Sequence, residues 1–215
     1  MQRTLILAGL AVSLAAAPAA AQNSCAEYAR PPAIGGWSQW QSKDGKLKLA
    51  AIGTEKKDGK DYYWIEMQGS QSGPQAKGGI MQVLVPSFPY QMDGIQGMVM
   101  KAEGQPAMKA NDQMLSMMRS RMTENSTSAA LRDCANWSKV GEESVTVPAG
   151  TFKTQHFKDG KSANEVWVSH DVPFGLVKGN FPEKAGEIVL IAQGTDAKSS
   201  ITEKPMDMGD MMQHQ

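Results

Sequence analysis

Lys46-Leu-Lys-Leu-Ala-Ala-Ile-Gly53, then Asp58-Gly59, then Asp61-Tyr-Tyr-Trp-Ile-Glu-Met67: these residues decide the fold class of the chain. An Asp-Gly step between two strand-like runs supplies the positive φ that a tight hairpin needs. In the second run Tyr62, Trp64 and Glu66 share one face, and Tyr63, Ile65 and Met67 share the other. Both faces are largely apolar, so both are expected to be covered.

The same pattern extends outward in both directions. Lys77 to Val85 (KGGIMQVLV) reads as a strand stopped by Pro86, and Gly94 to Ala102 (GIQGMVMKA) as the next, with the loop PSFPYQMD between them. Further on, Ser144–Val147 and Phe152–Lys158 are strands joined by Pro148-Ala149-Gly150. Asp159-Gly160 marks another hairpin, leading to Glu165–Ser169. A turn over Asp171-Val172-Pro173-Phe174-Gly175 precedes Leu176–Lys178, and Glu187–Gln193 is the last clear strand. Consecutive hairpins imply an antiparallel sheet. Between the two groups of strands the period changes. Asn111 and Asp112 suit a helix N-cap, and Met114, Met117, Met118 and Met122 fall at helical spacing. A second short helix is predicted from Ser126 to Cys134.

The first 21 residues fix an address. Arg3 gives a positive start, Leu5 to Ala17 a short apolar run, and Ala19-Ala20-Ala21 the small residues of a cleavage site. The run is too short for a membrane span. The alanine-rich style is bacterial, so the expected compartment is the periplasm. Residues 22–204 then form a single domain, and 205–215 a flexible Met-rich tail. Basic and acidic residues number 22 each. With no basic stripe, nucleic acid is not an expected partner. Cys25 and Cys134 reach an oxidising compartment together and are expected to form a disulfide. Gln22, Asn23 and Ser24 before Cys25 depart from the lipoprotein cleavage pattern, so the chain reads as soluble rather than lipid-anchored.

Two segments carry a family resemblance. One runs from Val145-Thr-Val-Pro148-Ala-Gly150-Thr-Phe152 to His156 and Phe157. The other is Val166-Trp167-Val-Ser169-His-Asp171-Val-Pro173-Phe-Gly175-Leu-Val-Lys178. With Tyr63-Trp64-Ile-Glu66 they resemble bacterial exported proteins whose fold is similar to that of the lipoprotein carriers LolA and LolB. The resemblance covers roughly residues 45–195. It implies a mostly β (α+β) architecture: a curved antiparallel sheet, an open half-barrel, with short helices covering the concave face. In those carriers the concave face holds acyl chains. No carrier binding motif transfers residue by residue, so ligand binding is a fold-level analogy.

Methionine distribution agrees with that expectation. Eight of the fifteen methionines lie between Met92 and Met122. Their flexible, polarisable side chains suit a lid over an apolar cavity as well as an irregular core. The expected apolar site comprises Trp64, Met98, Met100, Met114, Met117, Met118 and Trp167. Trp37 and Trp40 are placed over a sheet edge. A different chemistry is offered by the tail, where Met206, Met208, Met211, Met212 and His214 bring thioether and imidazole groups that suit copper as Cu(I). His170 beside Asp171 is one His and one acid, short of a zinc ligand set, and Asp171 suits the turn.

No nucleophile elbow, zinc-protease helix, phosphate loop or dinucleotide fingerprint occurs in the sequence. The reading is therefore a non-catalytic periplasmic binding protein for an apolar ligand: a lipid, an acyl chain or a lipidated segment. Two alternatives stand beside it, a copper-binding protein using the tail and an envelope module that binds a partner protein.

Overall fold

The computed structural model describes residues 24–71, 78–121, 131–183 and 186–207. The expected signal (1–21), residues 126–130 of the second helix and Met208–His214 of the tail lie outside the described residues. The strands are β1 (Trp37–Ser42), β2 (Gly45–Lys57), β3 (Lys60–Gln71), β4 (Gly79–Val85), β5 (Gly97–Ala102) and β6 (Met108–Lys109). After helix α1 (Asp112–Arg121) come β7 (Ser138–Val147), β8 (Gly150–Lys158), β9 (Glu165–Val168), β10 (Leu176–Phe181), β11 (Gly186–Gly194) and β12 (Met206–Asp207). Among the described residues these form one open sheet in the order β12-β6-β5-β4-β3-β2-β1-β11-β10-β9-β8-β7. Every described pairing is antiparallel except β12 with β6.

The hairpin that decided the fold is the longest in the sheet. Its ladder runs from Gly45 opposite Gln71 to Lys57 opposite Lys60. Asp58 and Gly59 turn the chain with φ of 51° and 74°. Two successive positive φ values match the right-handed twist of the flanking strands, which is why Asp-Gly suits this position.

The sequence expectation fails at three places. Trp37 and Trp40 do not cover an edge: they lie on β1, which pairs with β2 on one side and β11 on the other and so joins the two halves of the sheet. Asp159-Gly160 opens a longer loop rather than a two-residue turn. Asp159 accepts from the Lys161 N–H at 2.9 Å and the Ser162 hydroxyl at 2.6 Å, and its own N–H donates to Asn164 C=O. An Asp side chain that captures backbone in this way competes with the tight turn. The strand predicted from Gly94 begins at Gly97, because Met92–Gly94 form a single 3-10 turn.

The two faces of the sheet are covered differently. One carries the main core, with Trp40, Leu49, Ile65, Val83, Met98, Val166, Leu176 and Leu190 nearly inaccessible. Leu115 of α1, Leu131 and Cys134 pack into it, so the helical segments cover this face. The β7–β8 tip folds back onto the sheet: the Ala149 N–H donates to Leu190 C=O at 3.3 Å, and Val145, Val147 and Phe152 join the core.

The other face, over β1 to β6, lies under a C-terminal strap. The strap leaves β11 and is fastened on β1, β3, β4 and β5. The Trp37 indole N–H donates to Asp196 at 2.8 Å and holds that carboxyl below its usual range, as the Lys101 ammonium 2.6 Å from Glu203 does for Glu203. Between them Ile201 packs with Val99, Ala107, Trp64 and Ile80. Glu66, 1% exposed, accepts from the Gln82 and Gln68 amides (2.8 and 2.7 Å) and the Ser200 N–H (2.9 Å). A buried carboxylate tolerates this environment because donors surround it. Replacing Glu66 with Ala strands those donors. We expect a loss of about 2–3 kcal/mol in urea unfolding, with earlier protease cleavage in residues 195–205. A loss below about 0.5 kcal/mol would mean that Ile201, Asp196 and Glu203 hold the strap without Glu66.

Candidate functional site

A disulfide sets the position of the N-terminal segment. Cys25 and Cys134 are bonded, 109 residues apart in sequence, with Cα atoms 5.7 Å apart. The Ser24 hydroxyl caps the first 3-10 turn and donates to Ala135 C=O. From there the chain passes directly over Gly175: a Cβ on that residue would lie 2.2 Å from Tyr28 O. Gly175 also has φ of 80°, so both its backbone and its missing side chain are required. The result is a parallel stack of Tyr28 on His170, ring centroids 4.1 Å apart and planes 20° apart. Burial, with the nearby carboxylates of Glu27 and Glu142, pushes the Tyr28 phenol above its usual range, so its hydroxyl keeps its proton at neutral pH.

Two clefts open on either side of this stack. The first, about 600 Å³, is lined by polar residues: Glu142, Ser144, Lys153 and Gln155 from the β7–β8 hairpin, with Ser169 and Asp171. Gln155 is 3% exposed. Its amide N–H donates to Gly141 C=O, while its Oε1 has no hydrogen-bond partner among the described residues. The second, about 500 Å³, lies between the segment Arg30-Pro31-Pro32-Ala33-Ile34 and the loop Val172-Pro173-Phe174. Its lining is largely apolar, with Arg30, Gln193 and Thr195 as polar members besides the residues of the stack. Ile34 is 49% exposed, which is unusual for a side chain that gains by burial. Tyr28, His170 and Asp171 belong to both clefts. Their volumes fall in the range of small-molecule sites.

The seven residues expected to line an apolar cavity do not meet on one surface. Met98 is 1% exposed and part of the main core, with Met100 and Met114 packed against it. Met117 is 48% exposed while Leu115 is buried, so among the described side chains of α1 the methionines do not face inward as a unit. The Met118 side chain lies outside the described residues. Trp64 and Trp167 project from the opposite face to Met98. Trp64 donates its indole N–H to Glu55 at 3.0 Å beneath the strap. Trp167 stacks on His156 at 4.3 Å and donates to Glu143 at 2.6 Å, with the Lys178 ammonium 5.4 Å from its ring. Of the metal set only Met206 is described, on β12 and 43% exposed; Met208, Met211, Met212 and His214 lie outside the described residues. Sequence reasoning missed Tyr28 altogether. The signal available was the Cys25–Cys134 pairing, which carries Tyr28 toward residues 131–137 but does not place it on His170.

Among the described residues no helix is long and apolar enough to cross a membrane, and no group of three His, Cys, Asp or Glu side chains is placed to hold a metal ion. No family model matches the chain, and no curated protein matches it. Two solved structures share some of its shape. A hypothetical protein of Chlamydia trachomatis has a TM-score of 0.46 at 13% identity, over 86% of this chain and 99% of that one. A candidate lipoprotein of Parabacteroides distasonis has a TM-score of 0.35 at 11% identity, over 78% and 98%. Both likenesses are distant, and the site is interpreted from its own geometry.

Proposed function

We propose that this chain is a non-catalytic binding protein of the bacterial envelope whose ligand is a small amphipathic lipid. The observation that supports this is the pair of clefts sharing the Tyr28–His170 wall. One is largely apolar and ends in a half-exposed Ile34; the other is polar and contains an unsatisfied buried Gln155 oxygen. A ligand with an apolar portion over Pro32, Ile34 and Pro173 removes apolar surface from water. A polar head on the far side of the stack meets the polar groups of Glu142, Lys153, Ser169 and Asp171. The ligand class is that expected from sequence, but the place is different: the clefts of the N-terminal segment, not the helix-covered core.

Two measurements test this. A native mass spectrum of the mature protein, purified without detergent, should carry added mass in the lipid range. Parinaric acid, a fluorescent fatty acid, should bind the emptied protein, and Ile34→Asp should weaken it at least tenfold because burial of an Ile is worth about 1.5–3 kcal/mol. Unchanged binding by that variant, with unchanged unfolding, would remove the apolar cleft as the site.

A further inference from the structure

Five methionines fall opposite one another across five adjacent strands. Met67 on β3 faces Met81 on β4, Met81 faces Met100 on β5, Met100 faces Met108 on β6, and Met108 faces Met206 on β12. Directly paired residues project to the same face, so the five thioethers form one row across the sheet. The row runs from closed to open. Met67 is 5% exposed and lies 3.4 Å from the Tyr90 hydroxyl, Met81, Met100 and Met108 are half-buried, and Met206 is 43% exposed.

Packing alone does not call for this arrangement. Leu, Ile and Val fill the neighbouring sheet positions, and methionine is used elsewhere in cores as a filler for irregular gaps. A straight row of directly opposed residues is regular. The strap also extends to the edge of the sheet, where the Met206 N–H donates to Ala107 C=O and adds one more methionine to the row.

We propose that the outer rungs, Met81, Met100, Met108 and Met206, bind a soft monovalent cation, Cu(I) or its redox-inert analogue Ag(I). Opposed side chains in a sheet leave the backbone about 5 Å apart, close enough for two flexible thioethers to hold one cation between them. Thioether sulfur favours soft ions over Mg²⁺, Ca²⁺ or Mn²⁺. The cation keeps its charge and no electron moves. This site belongs to the folded sheet: it takes Met206 from the set expected in the tail, needs none of residues 208–214, and is distinct from the clefts beside Tyr28.

Titration of the full mature chain with Ag(I) tests it, with methyl-labelled methionine followed by NMR. The first equivalent should shift the methyl signals of Met100, Met108 and Met206. The triple variant Met100→Leu, Met108→Leu, Met206→Leu keeps similar volume and should lose at least tenfold in affinity. A tail variant (Met208→Leu, Met211→Leu, Met212→Leu, His214→Gln) should stay within threefold of wild type. Shifts confined to the tail methyls, or a wild-type chain that does not bind Ag(I), would overturn the proposal, and the NMR readout stands even if the triple variant fails to fold.

Discussion

Removing the disulfide, by Cys25→Ser with Cys134→Ser, should cost about 4–5 kcal/mol of stability. The estimate comes from the long loop that the bond closes, 109 residues in sequence separation. A chain-entropy model attributes most of that cost to the unfolded state, which regains its freedom when the link is cut. With an unfolding slope of about 2 kcal/mol per molar urea, the midpoint should fall by about 2 M. The loss is also local. Near Tyr28, segment 24–36 is otherwise held by Ser24 to Ala135 and by Ala29 in the core; its backbone bonds to Ala51 (from Gly35 N–H at 2.7 Å and to Gly36 C=O at 2.9 Å) and from Ala197 N–H to Gly35 C=O at 2.9 Å lie at its far end. Without the link Tyr28 is free to leave His170, and both clefts lose their shared wall. The variant should therefore bind parinaric acid at least tenfold more weakly even where it remains folded. A midpoint within about 0.5 M of wild type would show that the packing of Ala29 and Tyr28, rather than the covalent bond, secures the segment.

What was legible in the sequence followed from local chemistry. Asp58-Gly59 specified its turn, Pro86 ended β4, and the Asn111 side chain caps α1 by accepting from Met114 N–H at 2.9 Å. Elements that depend on distant partners were not legible. The sequence of β1, Trp-Ser-Gln-Trp-Gln-Ser, lacks an apolar alternation, because one buried position is a serine. Ser38 is buried since its hydroxyl donates to Pro173 C=O, 135 residues away. The strap residues Lys198-Ser199-Ser200 carry no apolar pattern, and Glu66, Gln68 and Gln82 on the sheet bring them to order. The methionines of the ladder were all visible, but their opposition depends on four successive registers, which residue types alone do not fix. The site was lost for the same reason. His170 and Asp171 could be singled out as neighbours, whereas Tyr28 meets them only after the disulfide and the close approach at Gly175 have been made.

The second large effect is expected at Phe174. This residue adopts φ of 65°, a conformation that costs a non-glycine residue about 1–2 kcal/mol, and yet it is 1% exposed. The surroundings hold it there. Its ring meets Phe88 edge-on at 4.8 Å and Trp40 at 6.5 Å. The loop behind it is closed by Gly175 N–H to Val172 C=O at 2.9 Å and Ser169 N–H to Gly175 C=O at 2.8 Å. The Trp40 indole N–H, in turn, donates to Leu176 C=O at 2.8 Å. Phe174→Ala removes the ring but keeps the backbone strain, so the cavity cost of about 3–5 kcal/mol is not offset. Phe174→Leu retains apolar volume and should lose less than half of that. Both can be read from urea unfolding. The same ring lines the apolar cleft, so the Ala variant should also alter parinaric acid binding while Glu66→Ala, whose effect lies under the strap, leaves it within threefold. If Phe174→Ala cost less than about 1 kcal/mol, the ring would not anchor the loop in the core, and residues 171–175 would be held by their hydrogen bonds alone.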